Sequence, residues 1–102
     1  MLASNLDKKK FSNICLIDTN AKIGSKIKVS GGAKCNITNE LVTCNNYLGD
    51  REFAKELLEK FSKNELLAFL NKNGVFPKIN PKIVKGTYFC NSSQDVIDMF
   101  TK

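Results

Sequence analysis

The sequence predicts an α/β fold, reading as α+β when its 102 residues are taken alone. Three observations predict it. An unbroken apolar run, Asn13-Ile14-Cys15-Leu16-Ile17-Asp18, closes on an acid, the pattern of a strand buried on both faces of a parallel sheet. Two amphipathic helical stretches follow over 50–73, and two short β-like runs over 75–89 flank a turn, as in a hairpin. The length suits one domain. No run approaches the roughly 18 apolar residues of a membrane helix. The opening Met1-Leu2-Ala3-Ser4-Asn5-Leu6-Asp7 lacks a charged start before an apolar core, so it is no signal peptide and a cytoplasmic protein is the default.

Along the chain, residues 2–10 read as the rear of a helix: Leu2, Ala3 and Leu6 fall at helical spacing and Lys8-Lys9-Lys10 suit a helix C-terminus. The run 13–18 is the strand. Gly24 marks a turn, and Lys26-Ile27-Lys28-Val29 alternates as a half-exposed strand. Ser30-Gly31-Gly32-Ala33-Lys34 fits no regular element, and its paired glycines imply positive φ or a close backbone approach. From Asp50, Phe53, Leu57 and Phe61 recur at i, i+4, i+8 opposite a charged face, so they are expected in the core. Ser62-Lys63-Asn64-Glu65 is a capping-box pattern that opens a second helix, with Phe69 on its apolar face and Gly74 at its C′ position. Residues 75–79 and 83–89 form the hairpin around Asn80-Pro81, with Pro77 keeping the first strand at an edge. Ser92 or Ser93 caps a last helix over 94–100, with Val96, Ile97 and Phe100 inward.

Composition removes several chemistries. The chain has no histidine, which excludes His-based triads and imidazole acid–base catalysis. Cys15, Cys35, Cys44 and Cys90 include no C-x-x-C pair, so they read as reduced thiols and no metal site is expected. The net charge of +6 divides as +5 over residues 1–39 (seven Lys, two Asp), −1 over 40–75 (five Lys or Arg, six acids) and +2 over 76–102 (four Lys, two Asp). Arg51 is the sole arginine. Base readout and bidentate phosphate recognition favour arginine, so nucleic acid is not the expected partner.

Asp18 is the first residue with a candidate role. An acid closing the second strand of a dinucleotide-binding βαβ unit accepts the ribose hydroxyls, with a Gly-rich phosphate turn about 20 residues earlier. The count from Asp18 places that turn before Met1; a solvated strand end is the plain alternative. The second candidate is Lys26-Ile27-Lys28-Val29-Ser30-Gly31-Gly32-Ala33-Lys34-Cys35-Asn36-Ile37-Thr38-Asn39. Gly31 and Gly32 bring backbone N–H groups against an anion or planar ring, Lys26 and Lys34 add charge, and Ser30, Asn36, Thr38 and Asn39 donate and accept hydrogen bonds. An ordinary Gly-rich loop with turn-forming asparagines has the same composition.

The string resembles the motif of the BaiN-type bacterial NAD(P)/FAD-dependent oxidoreductases, the aminoacetone-oxidase-like flavoproteins, whose pattern is G-x-K-x-x-x-S-G-G-G-R-C-N-x-T-N. Gly24, Lys26, Ser30, Gly31, Gly32, Cys35, Asn36, Thr38 and Asn39 match, and weaker similarity continues through Gly74-Val75-Phe76 to Phe89, Ser92, Ser93 and Val96. The resemblance implies a partial Rossmann-like FAD-binding domain, with Asp18 on the adenosine ribose and Lys26, Ser30, Gly31, Gly32, Lys34, Cys35, Asn36, Thr38 and Asn39 around the flavin and pyrophosphate. Its chemistry would be the flavin's, with NAD(P)H a hydride donor and a small molecule as substrate in the full-length family. No catalytic acid or base stands out, and Cys35 reads as a packed thiol rather than a redox one. The departures are Ala33 for a third glycine, Lys34 for arginine, Asp18 for glutamate and Cys90 for proline. The family's G-x-G-x-x-G loop is also missing from these residues.

The expectation is therefore a domain cut at both ends, inactive alone, binding FAD weakly or not at all. It would tend to self-associate through the exposed edge of strand 13–18. The alternative is a small basic non-enzymatic domain that binds a protein or nucleic acid.

Overall fold

Capping chemistry sets the two central helices. In the computed structural model, which describes residues 3–82 and 85–101, α2 (Arg51–Lys60) opens at Asp50, whose carboxylate accepts from Phe53 N–H at 3.0 Å. The next helix, α3 (Lys63–Lys72), opens at Ser62, whose Oγ accepts from Glu65 N–H at 3.3 Å, one half of the expected capping box. α3 ends as Gly74 predicts. Gly74 takes φ 86°, Val75 N–H donates to Leu70 C=O at 2.9 Å and Gly74 N–H to Asn71 C=O at 3.1 Å. This is a Schellman closure with Leu70 and Val75 both buried. The last helix, α4 (Ser93–Thr101), follows Ser92, whose Oγ accepts from Gln94 N–H while its own N–H donates to Asp95.

The hairpin forms as β2 (Lys78–Ile79) against β3 (Thr87–Phe89); the expected strand residues Ile83 and Val84 lie outside the described residues, as does Leu2 of the expected first helix. β1 (Asn36–Asn39) pairs on the other side of β3, giving an antiparallel sheet of order β1-β3-β2 with the Pro77-flanked strand at an edge. Its register is Asn36↔Phe89, Thr38↔Tyr88 and Asn39↔Thr87, broken by an irregularity after Asn36. The core lies between the sheet, α3 and α4. Cys35, Leu70, Val75, Cys90 and Val96 are buried together, with Ile27, Ile37, Leu66, Phe69, Met99 and Phe100 packed on them. The rings of Phe69 and Phe100 stack with centroids 6.3 Å apart, a favourable aromatic spacing.

Four expectations are corrected. Residues 3–10 hold a 3₁₀ turn, Ala3–Asn5, and bends rather than a helix end. The run 13–18 is not a strand: it is exposed throughout, Leu16 by 77% and Ile17 by 93%. A strand exists only through a ladder partner, and among the described residues none pairs with this run, so the sheet edge expected there does not form. Lys26-Ile27-Lys28-Val29 belongs to a short helix, α1 (Ser25–Val29), that packs on α4. Lys28 N–H donates to Gly24 C=O at 3.0 Å, and burying Ile27 in the core satisfies the pattern with a helical turn as well as a strand would. Phe53, Leu57 and Phe61 lie outside the core, 58%, 49% and 44% exposed, although α2 forms as expected; Phe69 and Phe100 do pack inward. Among the described residues no helix is long and apolar enough to cross a membrane.

Candidate functional site

The segment joining α1 to β1 winds left-handed. Gly31, Gly32, Ala33 and Cys35 all take positive φ, at 58°, 61°, 67° and 58°. Glycine adopts this region freely, whereas Cβ crowding opposes it for Ala33 and Cys35. The turn is closed from within: Cys35 N–H donates to Ser30 C=O at 3.0 Å, Lys34 N–H to Gly31 C=O at 3.3 Å, and Asn36 N–H to Ser30 Oγ at 3.3 Å. It is also bolted to the body. Ser93 N–H donates to Ala33 C=O at 2.8 Å, Cys90 N–H to Lys34 C=O at 2.9 Å, and Ser93 Oγ to Lys28 C=O at 3.1 Å. The carbonyls therefore face inward. The N–H groups of Gly31, Gly32 and Ala33 meet no acceptor among the described residues.

The two glycines have different work. A Cβ on Gly31 would collide with the Asn36 carboxamide, so this glycine lets Asn36 fold back over the turn. A Cβ on Gly32 would meet nothing within 4 Å, so its backbone is open to an approaching group. Lys34 and Lys26 are exposed nearby in sequence and, among the described residues, neither is paired with a carboxylate. Unpartnered N–H groups on a positive-φ turn with free lysines make a surface that takes an anion or the edge of a polar ring. This donor set fits a pyrophosphate or a flavin ring edge.

The remaining sequence-predicted residues divide. Thr38 is half-buried in β1. Asn39 is engaged inside the fold: its Nδ2 donates to Lys85 C=O at 3.1 Å and Thr87 Oγ1 at 3.2 Å, and its Oδ1 accepts from Leu41 N–H at 2.9 Å. Its carboxamide is the joint between the end of β1 and the start of β3. Cys35 is buried, and burial pushes its thiol up. Asp18 sits in the exposed 11–20 stretch, where Oδ1 accepts from Asn20 N–H and from Asn20 Nδ2, each at 2.8 Å. The Asn20 backbone bond first, and its side chain second, hold the carboxyl below its ordinary value; Oδ2 is left over. Sequence reasoning missed Ser93 and Cys90 as anchors of the turn. Nothing short-range signals them, because their partners lie some sixty residues away.

Comparison with known proteins places the whole segment. The family model described as the HI0933-like protein Rossmann domain matches residues 1–102. The chain is 35% identical over 101 residues to a ribosomal RNA dihydrouridine synthase of Escherichia coli, covering 97% of this chain and 24% of that protein. It is 35% identical over 68 residues to a 3-dehydro-bile acid delta(4,6)-reductase of Clostridium scindens, covering 66% and 17%. A Haemophilus influenzae ribosomal RNA dihydrouridine synthase is 33% identical over 64 residues, covering 62% and 16%. The chain thus spans a quarter or less of the length of these curated relatives.

Proposed function

The chain belongs to the HI0933-like Rossmann-domain family of FAD-binding flavoproteins, and from that premise we propose that it supplies part of the flavin site of an FAD-dependent oxidoreductase. The observation that carries the reading is the left-handed Gly31-Gly32-Ala33 turn, anchored by its carbonyls and open at its N–H groups. In this reading the Gly31, Gly32 and Ala33 N–H groups hold the pyrophosphate or ring edge. Lys26 and Lys34 neutralise its charge, and Asp18 presents Oδ2 to ribose hydroxyls. Asn36 and Thr38 offer further polar contacts, while Cys35 holds the turn in shape and Asn39 clasps β1 to β3. A bound flavin would supply the redox chemistry, with a nicotinamide as hydride donor in the full-length protein. The protein's own task here is to bind and orient.

These residues alone contain no G-x-G-x-x-G turn, and Lys34 offers phosphate a point charge rather than a fork. We therefore expect weak FAD binding by the 102-residue chain, centred on residues 30–39. Titration with FAD followed by amide chemical shifts tests this. Shifts centred on that turn and reaching Lys26 and Asp18, weakened by Lys34→Glu, are expected. A stoichiometric yellow complex that survives desalting overturns the weak binding, and an unperturbed turn overturns the site.

A second reading concerns the substrate. The names of the two dihydrouridine synthases favour an RNA substrate for the whole enzyme over a steroid. RNA mobility shifts that weaken steeply with salt support it; none at low salt removes it.

A further inference from the structure

We propose that Cys35 and Cys90 are a redox pair that closes to a reversible disulfide across the start of β1 and the end of β3, locking the Gly-rich turn to the body. The inference stands apart from the flavin reading. Asn36 and Phe89 are Cα partners in the antiparallel ladder, and Cys35 and Cys90 flank that pair just outside β1 and β3. Cys90 N–H itself donates to Lys34 C=O at 2.9 Å, one residue off that register, with Cys35 turned to φ 58°. The two backbones are therefore joined at the cysteines. Only one hydrogen bond and one planar peptide separate the two Cα atoms, which keeps them near the range of about 4.4–6.8 Å that a disulfide spans. Both thiols are free, both are buried, at 6% and 5% exposure, and both belong to one core cluster.

Cys90, 5% exposed, stands at the wall of open clefts. It lines two surface clefts, one of about 520 Å³ with Lys78, Asp95, Asp98 and Met99, and one of about 310 Å³ with Lys34, Asn80 and Pro81. A small oxidant such as hydrogen peroxide reaches it there. The Cys90 sulfur attacks one peroxide oxygen, the O–O bond breaks, and a sulfenic acid and water result. The Cys35 sulfur then attacks the Cys90 sulfur and displaces its oxygen as a second water. In balance, two thiols and one peroxide give one disulfide and two waters; the sulfurs lose two electrons and the peroxide oxygens gain them. A thiol reductant reverses the step by exchange. Burial, with the neighbouring Cys35 and Asp95, pushes the Cys90 thiol up to about 11, so little thiolate exists at neutral pH. The pair is slow and rests reduced, and its oxidation accelerates about tenfold per pH unit on the way up.

The test is oxidation of the folded chain with hydrogen peroxide, alkylation of the remaining thiols without reduction, and peptide mapping by mass spectrometry. The expected product is a Cys35–Cys90 cross-linked peptide, lighter by two hydrogens. It should exceed any other pairing at least about tenfold, with Cys15 and Cys44 alkylated and dithiothreitol restoring the starting mass. The same oxidation in denaturant, where the ladder is gone, should lose that selectivity; this arm needs no variant to fold. Cys90→Ser, checked for folding by circular dichroism, should leave Cys35 unlinked. Dominant pairings through Cys15 or Cys44, or Cys35 and Cys90 still reduced when Cys15 is fully oxidised at alkaline pH, overturn the proposal.

Discussion

Replacing Ala33 by glycine should stabilise the protein, against the usual effect of putting glycine into an ordered segment. Ala33 holds φ 67°, and it cannot relax because its carbonyl is fixed by Ser93 N–H at 2.8 Å. An alanine in the left-handed region costs about 1–2 kcal/mol. Against that relief, glycine gives the unfolded chain extra freedom worth about 0.4–1 kcal/mol. The methyl group is solvent-exposed, so no packing is lost. The net gain is about 0.5–1 kcal/mol. Urea unfolding should show it as a midpoint raised by about 0.5 M at unchanged slope, and thermal unfolding as a rise of about 4 °C. The adjacent residue provides the mirror experiment. Gly32 has φ 61° and nothing within 4 Å of a built Cβ, so Gly32→Ala isolates the same backbone strain without a collision and should lower stability by about 1 kcal/mol. Gly31→Ala adds the collision with Asn36 and should be worse. The reasoning fails if Ala33→Gly lowers the midpoint, or leaves it unmoved while Gly32→Ala lowers it.

Two further outcomes follow from single side chains. The Cys90 thiol, raised in the folded state from 9.0 to about 11, contributes stability that is complete below the unfolded value and is lost as pH rises through the folded one. Water in the adjoining clefts limits the effect to about 1–2 kcal/mol between about pH 9 and 11, and denaturant titrations of Cys90→Ser should show a flatter alkaline limb over that window. Asn39→Ala removes three hydrogen bonds at the β1–β3 joint and should cost about 1–3 kcal/mol, with amide exchange quickening at Leu41.

Local chemistry was legible in the sequence, and distant pairing was not. Asp50, Ser62, Ser92 and Gly74 act within a few residues of themselves, so the ends of α2, α3 and α4 could be read off the chain. The Gly31-Gly32 pair announced positive φ for the same reason. Asn36-Ile37-Thr38-Asn39 reads as loop because asparagine disfavours strands; it becomes β1 only because β3 offers it a ladder and Asn39 a clasp. Lys26-Ile27-Lys28-Val29 was ambiguous because four residues cannot separate a period of 2 from one of 3.6. The run 13–18 and the face of Phe53, Leu57 and Phe61 show the opposite limit: apolar pattern gives a side chain's preference for burial, while the neighbours that could bury it are set elsewhere. In the candidate site, the pattern located the turn, but the anchoring of its carbonyls by Ser93 and Cys90 depends on the tertiary fold.

The clasp between Asn39 and Thr87 joins residues 48 apart in sequence, with the whole α2–α3 excursion between them. Ordering so long a segment before any strand contact is gained slows pairing, whereas α2 and α3 need only their own caps and turns. The helices should therefore form early, and the left-handed turn should take its shape after the rate-limiting barrier. Variants at Gly31, Gly32 and Ala33 would then alter how fast the protein unfolds and leave its folding rate nearly untouched.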